Sequence, residues 1–289
     1  MTTLSRRTLV AAGAVGAVGA ALAHAAPRHQ ILAQSSTPTA SSPPPAQEAG
    51  APPAAWRTWI LASPDELRPA APTAPTQAEI DEVLRLQAER TDEAIALVRQ
   101  WGSRPAVVAW TEVANQAWLE ISALREVRAN AILQAAMYDA VIAAYDAQEA
   151  YSSPSPAAID DRVTTIEGIA ADRPAFPSAE AAVAGAAAAV LAGLLPDGVP
   201  GRFTTLAEEA ATTRLQAGVN VRSDIDAGLA LGRAIGERAV ALAAADPAAS
   251  DWDGSGRMTG LGAWEPTPPD FVEPPVEPDN FQLRAQVNF

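Results

Sequence analysis

The chain has 289 residues, a formal net charge of −14 and no cysteine. Disulfides, thiol nucleophiles and thiolate metal ligands are thereby excluded, and so acidic a balance repels nucleic acid and anionic lipid at long range. All 20 basic residues are arginines, and the two histidines, His24 and His29, both lie near the N-terminus. The remainder therefore lacks both the usual proton shuttle near neutral pH and the commonest metal ligand. That excludes Ser-His-Asp hydrolysis, His-ligated zinc and histidine phosphotransfer.

Residues 1–25 read as a twin-arginine export signal: "LSRRTLV" with Arg6 and Arg7, the apolar run "AAGAVGAVGAALA", and Ala23-His24-Ala25 as a small-x-small cleavage site. The apolar run is too short and too rich in Gly and Ala to anchor in a bilayer. No integral membrane segment is expected in the mature chain, which is expected in the periplasm or outside the cell. Residues 26–54 are rich in Pro, Ala and Ser and are expected to be a disordered linker. Residues 55–250 then supply one domain large enough for a buried core.

That domain opens on "WRTWILASPDELRP", short and punctuated by prolines. From Ala78 to Gly102 apolar residues recur three and four apart, predicting one helix stopped by Gly102 and Pro105. A second helix is predicted over Val107–Glu120, and a third through "ISALREVRANAILQAAMYDAVIAAYDAQEAY". In the third, Leu124, Val127, Ala131, Ala135, Tyr138 and Ile142 form the expected buried stripe. Pro154 and Pro156 end it. Ser178–Leu195 reads as a buried, almost wholly apolar helix, followed by helices over Arg202–Ala217 and Ser223–Ala245. Gly228, Gly232 and Gly236 give the last one a smooth face that another helix can approach closely. No segment alternates with period two, so the fold class is all-α, a bundle of about six helices. Residues 251–289 are Pro-rich with spaced aromatics and read as an extended strap along the bundle. Their "DWDGSG" is oxygen-rich but lacks a calcium-loop spacing.

"FPSAEAAVAG" at Phe176 and "TRLQAGVNVRSDIDAG" at Thr213 carry a resemblance. Together with "WRTWILASPDELRP", "AAMYDAVIAAYDAQEAY" and the Trp264-Glu-Pro-Thr-Pro-Pro stretch, in that order, residues 56–270 resemble the vanadium-dependent haloperoxidase and type 2 phosphatidic acid phosphatase superfamily. Its signature is Lys-x6-Arg-Pro, Pro-Ser-Gly-His and Ser-Arg-x5-His-x3-Asp. The resemblance implies a helical bundle whose oxyanion pocket holds phosphate or vanadate. It also implies two histidines, one a nucleophile or vanadium ligand and the other an acid–base group, with an aspartate orienting the first. The first motif falls on Gln148 and Ser155-Pro156, where lysine and arginine belong. The second falls on Pro177-Ser178-Ala179-Glu180, with Glu180 in place of the acid–base histidine. The third falls on Thr213-Arg214, Asn220 and Asp224, with Asn220 in place of the nucleophile or ligand. Ser178, Arg214 and Asp224 remain.

Each remaining group also has a structural reading. Ser178 suits a helix N-cap, and Glu180 in the first turn complements the helix dipole, as an alternative to a new general base. Asp224 suits the start of the next helix as well as a leftover charge relay. Arg214 is expected to pair with a carboxylate, with Glu180 the nearest in mind. The expected function is non-catalytic, a pseudoenzyme without bound cofactor that binds a ligand or pairs with an active relative, as a homo- or hetero-oligomer. A divergent phosphatase or haloperoxidase built on Glu180 and Arg214, and a structural envelope protein, are the alternatives.

Overall fold

The computed structural model describes residues 55–118, 123–169, 173–195 and 201–246. The signal, linker and strap segments, with the "DWDGSG" loop, lie outside the described residues. The described residues form helices and connecting loops, without strands: α1 (Gln77–Ala88), α2 (Asp92–Gly102), α3 (Ala106–Ala117), α4 (Ala123–Tyr151), α5 (Pro156–Ile159), α6 (Ala179–Leu194), α7 (Arg202–Gln216) and α8 (Arg222–Ala245). The all-α expectation holds. None of these helices is long and apolar enough to cross a membrane.

Two boundaries differ from the expected ones. The single helix expected from Ala78 to Gly102 is two, because Thr91 takes an extended conformation and its side chain accepts from the Ala94 N–H as the N-cap of α2. The segment after Pro154 holds the short α5, with Pro156 at its first turn, where a missing N–H costs nothing.

The hub is α6. Eleven of its residues from Ala179 to Leu191 are buried, and it packs against α8, α4, α7 and α3. Alanines on α6 permit a close approach that larger side chains would forbid, and α8 meets them with its glycines. A Cβ on Gly232 would lie 1.8 Å from the Ala182 carbonyl oxygen, and one on Gly228 would lie 2.4 Å from that of Ser178. The two backbones are in contact along this seam, as the four-residue glycine spacing predicts. Stability here comes from close packing, since each alanine buries little more than one methyl group.

The buried face of α4 matches the expected one only in part: of the expected stripe, Ile142 is fully buried. Leu133, Ala136, Met137, Ala140 and Ala144 are fully buried, whereas Val127 is 62% exposed and Ala131, Ala135 and Tyr138 are only partly covered. Apolar residues surround this helix on nearly every side, so periodicity alone does not select the face that packs.

The buried face of α4 also anchors the chain before α1. Asp139, with no exposed surface, accepts the backbone N–H groups of Trp59, Ile60 and Leu61 at 2.7–3.1 Å. Two helical turns further on, Asp146 takes Arg68 through Nε and Nη2 at 2.8 and 2.9 Å. Both acids fall inside the "YDAVIAAYDAQ" stretch that carries the resemblance, and motif reasoning assigned them no role. Seven residues apart on one helix, they share a face.

Candidate functional site

The start of α6 and the α7–α8 connection meet at one place. Ser178 caps α6, its Oγ accepting the Ala181 N–H at 3.4 Å, and its own N–H donates to the Asp224 carbonyl at 3.0 Å. The peptide bond before it, Phe176–Pro177, is cis. Gly218, at φ 76°, turns the chain between α7 and α8; a Cβ there would lie 2.8 Å from the Thr164 carbonyl oxygen. This turn brings Arg214, Asn220 and Asp224 to the mouth of α6.

The side chains form one connected network. Arg214 Nη2 lies 3.3 Å from Glu180 Oε1, and Arg214 Nε donates to Asn220 Oδ1 at 3.4 Å. Asn220 Nδ2 donates to the Ala175 carbonyl at 2.8 Å and to Asp224 Oδ2 at 3.4 Å. Asp224 Oδ2 also accepts the Val221 N–H at 2.9 Å, so it sits in the first turn of α8 as the capping reading expects. Gln148, at the far side, donates through Nε2 to the Pro177 carbonyl at 2.9 Å. Arg214, Asn220, Asp224, Ser178 and Gln148 are all buried, while the Glu180 side chain is 38% exposed and forms the rim.

Six of the seven expected positions are thus neighbours. The seventh, Ser155, is the N-cap residue of α5, and no hydrogen bond or ion pair among the described residues joins it to the network. Beside the cluster, the Arg173 guanidinium lies over the Tyr145 ring, 3.6 Å from its centroid. Among the described residues no group of three or more acidic or histidine side chains is arranged to hold a metal ion.

The charges decide what this arrangement can do. Among the described residues the network holds one guanidinium, of Arg214, and two carboxyl groups, of Glu180 and Asp224. Burial pushes the Asp224 carboxyl up to about 6, against the opposing pull of the Val221 N–H and the Asn220 amide; the Glu79 charge adds slightly to the rise. Near neutral pH the cluster is neutral to negative overall. Asn220 stands between Arg214 and Asp224 as an amide, which can bridge an acceptor and a donor but cannot relay a proton as imidazole does.

No protein-family model and no curated protein matches the sequence. Among solved structures, the fold is similar to that of the first bacterial vanadium-dependent iodoperoxidase, with a TM-score of 0.57 and 24% identity over 68% of this chain and 59% of that one. A holo-type bacterial vanadium-dependent chloroperoxidase gives 0.49 at 16% identity, over 65% of this chain and 53% of that one. The chain shares the helical fold of the iodoperoxidase, and it spans less than two thirds of the length of either protein.

Proposed function

We propose that the chain is a member of the vanadium haloperoxidase and type 2 phosphatidic acid phosphatase superfamily in which the oxyanion site is closed by an internal ion pair, leaving a non-catalytic protein. The observation that carries this reading is the contact between Arg214 and Glu180 at the mouth of α6. The position where the motif calls for an acid–base histidine holds a carboxylate, and that carboxylate engages the one motif cation that remains.

Phosphate or vanadate does not fit this donor set. An oxyanion at the start of α6 would gain the helix N-terminus but face Glu180. At about 4 Å that repulsion is about 1 kcal/mol in bulk water and about 4 kcal/mol at an effective dielectric constant near 20. Arg214 alone offsets one charge, and Glu180 already takes it. No histidine follows His29, so none of the motif positions has one to attack phosphorus, ligate vanadium or carry a proton.

The full chain is expected to show no turnover of a phosphate monoester and no oxidation of iodide or bromide by hydrogen peroxide. Turnover that Arg214→Ala abolishes would establish the alternative, a divergent enzyme built on the same cluster. Export by the twin-arginine route belongs to the same proposal. Replacing both Arg6 and Arg7 by lysine is expected to retain the protein in the cytoplasm, and unchanged export would refute that part.

A further inference from the structure

On the side of the bundle lined by α4 and α8, a groove of about 780 Å³ runs between the two helices, with Trp59 and Ile60 at its edge. Its floor includes Ala131, Ala135 and Tyr138, three of the six residues of the stripe read from the sequence, and Leu242, 39% exposed, forms part of the opposite wall. One turn before Ala131, Val127 continues the same face into solvent. Ala131, Ala135, Leu242 and Val127 thus present apolar surface that is left partly or largely exposed, the mark of a binding face.

The chain itself points to the partner. Arg128, at one end of the groove, donates through Nη2 to the Ala243 carbonyl at 2.6 Å and pairs with Asp246 at 3.3 Å. That pins the end of α8 to α4 and sets Asp246 in the groove wall. Asp246 leaves the helix with extended backbone, φ −73° and ψ 129°, and Pro247 follows. The remaining 289 − 246 = 43 residues start from the groove's own lip.

Their sequence fits what the groove offers. Trp264-Glu-Pro-Thr-Pro-Pro-Asp-Phe271-Val272 has three prolines between two aromatic anchors. A polyproline-type segment rises about 3.1 Å per residue, so Trp264 and Phe271 would stand about 22 Å apart. The groove floor from Arg128 to Val141 covers 13 helical steps, about 20 Å at 1.5 Å each. Proline-rich segments dock in apolar grooves edged by aromatic rings, the part Trp59 and Tyr138 take here, because their conformation is preset and little entropy is lost on binding.

We infer that residues 264–272 dock in the α4–α8 groove of their own chain, Trp264 and Phe271 filling its two ends, as an intramolecular strap. The inference is independent of the state of the oxyanion site.

The full chain has no cysteine, so Val127→Cys at the exposed rim gives one attachment point for a benzophenone-maleimide label. After photolysis of a dilute sample, mass spectrometry is expected to find the cross-link within one chain, on residues 260–276. Cross-links only to a second copy would assign the groove to a dimer instead. Cross-links elsewhere in the same chain, or none, would overturn the inference. In the full chain, Trp264→Ser combined with Phe271→Ser is expected to abolish that cross-link and to raise the emission of an added apolar-surface dye several-fold. No change in either reading would also overturn it.

Discussion

Arg214, Glu180, Asn220 and Asp224 are held by one another and by backbone groups of the chain, and that mutual satisfaction is the most informative feature at the scale of single residues. The raised Asp224 carboxyl makes it measurable. A carboxyl group whose folded value, about 6, lies above its ordinary 3.8 binds its proton more tightly folded than unfolded. Its burial therefore costs nothing below about pH 4 and costs progressively more as pH rises through the folded value. At about 1.4 kcal/mol per pH unit the full cost is on the order of 3 kcal/mol. Asp224→Asn keeps an acceptor for the Val221 N–H and removes the charge. The variant is expected to gain stability relative to the parent between pH 4 and pH 7.5, read as a growing difference in Tm; a constant difference would contradict the buried-charge account. Asp139 behaves differently despite a shift in the same direction, because burial pushes its carboxyl up while three backbone N–H groups hold it. Asp139→Ala leaves those donors without an acceptor and is expected to cost roughly 3 kcal/mol or more in urea unfolding, at about 1–3 kcal/mol per unsatisfied buried group.

Among the elements, α6 and α8 carry the fold. Their seam tolerates no side chain at Gly232, where the nearest obstacle is backbone, whereas a Cβ on Gly193 would meet only the Val240 side chain at 2.6 Å. Gly232→Ala is expected to destabilise by about 3 kcal/mol or more, the upper end of overpacking costs. Gly193→Ala should cost far less, since Val240 can shift and alanine favours the helix by about 1 kcal/mol. Equal effects in thermal unfolding would contradict the packing assignment. This seam was legible in the sequence, because glycine every four residues has few other uses in a helix. The bounds of α6, α7 and α8 were legible too: the ranges expected from the sequence, Ser178–Leu195, Arg202–Ala217 and Ser223–Ala245, differ from the observed ones by a single residue at each end where they differ at all. The break at Thr91 was not, since the apolar period continues across it and one capping threonine decides the matter. The face of α4 was hidden for the opposite reason: its apolar residues are spread around the helix, and the roles of Asp139 and Asp146 depend on partners some 80 residues away.

For the molecule as a whole, the fold is similar to that of a bacterial vanadium-dependent iodoperoxidase, and six of the seven candidate positions are neighbours. That these positions share one pocket was implied only by the resemblance; composition and periodicity say nothing of how Ser178 and Glu180 meet Arg214, Asn220 and Asp224. A carboxylate partner for Arg214 was expected from its charge, but which carboxylate depends on how α6 and α7 meet, which the sequence does not carry. If the pocket geometry survives, replacing both Glu180 and Asn220 by histidine, with Gln148→Lys, should create a site that vanadate stabilises in a thermal-shift assay. No shift would mean that more than these side chains has been lost. The most direct measurement is titration of the unmodified full chain with vanadate, followed by calorimetry and vanadium-51 NMR. Closure by Glu180 predicts no saturable binding at millimolar vanadate. A one-to-one complex that disappears in Arg214→Ala would contradict it.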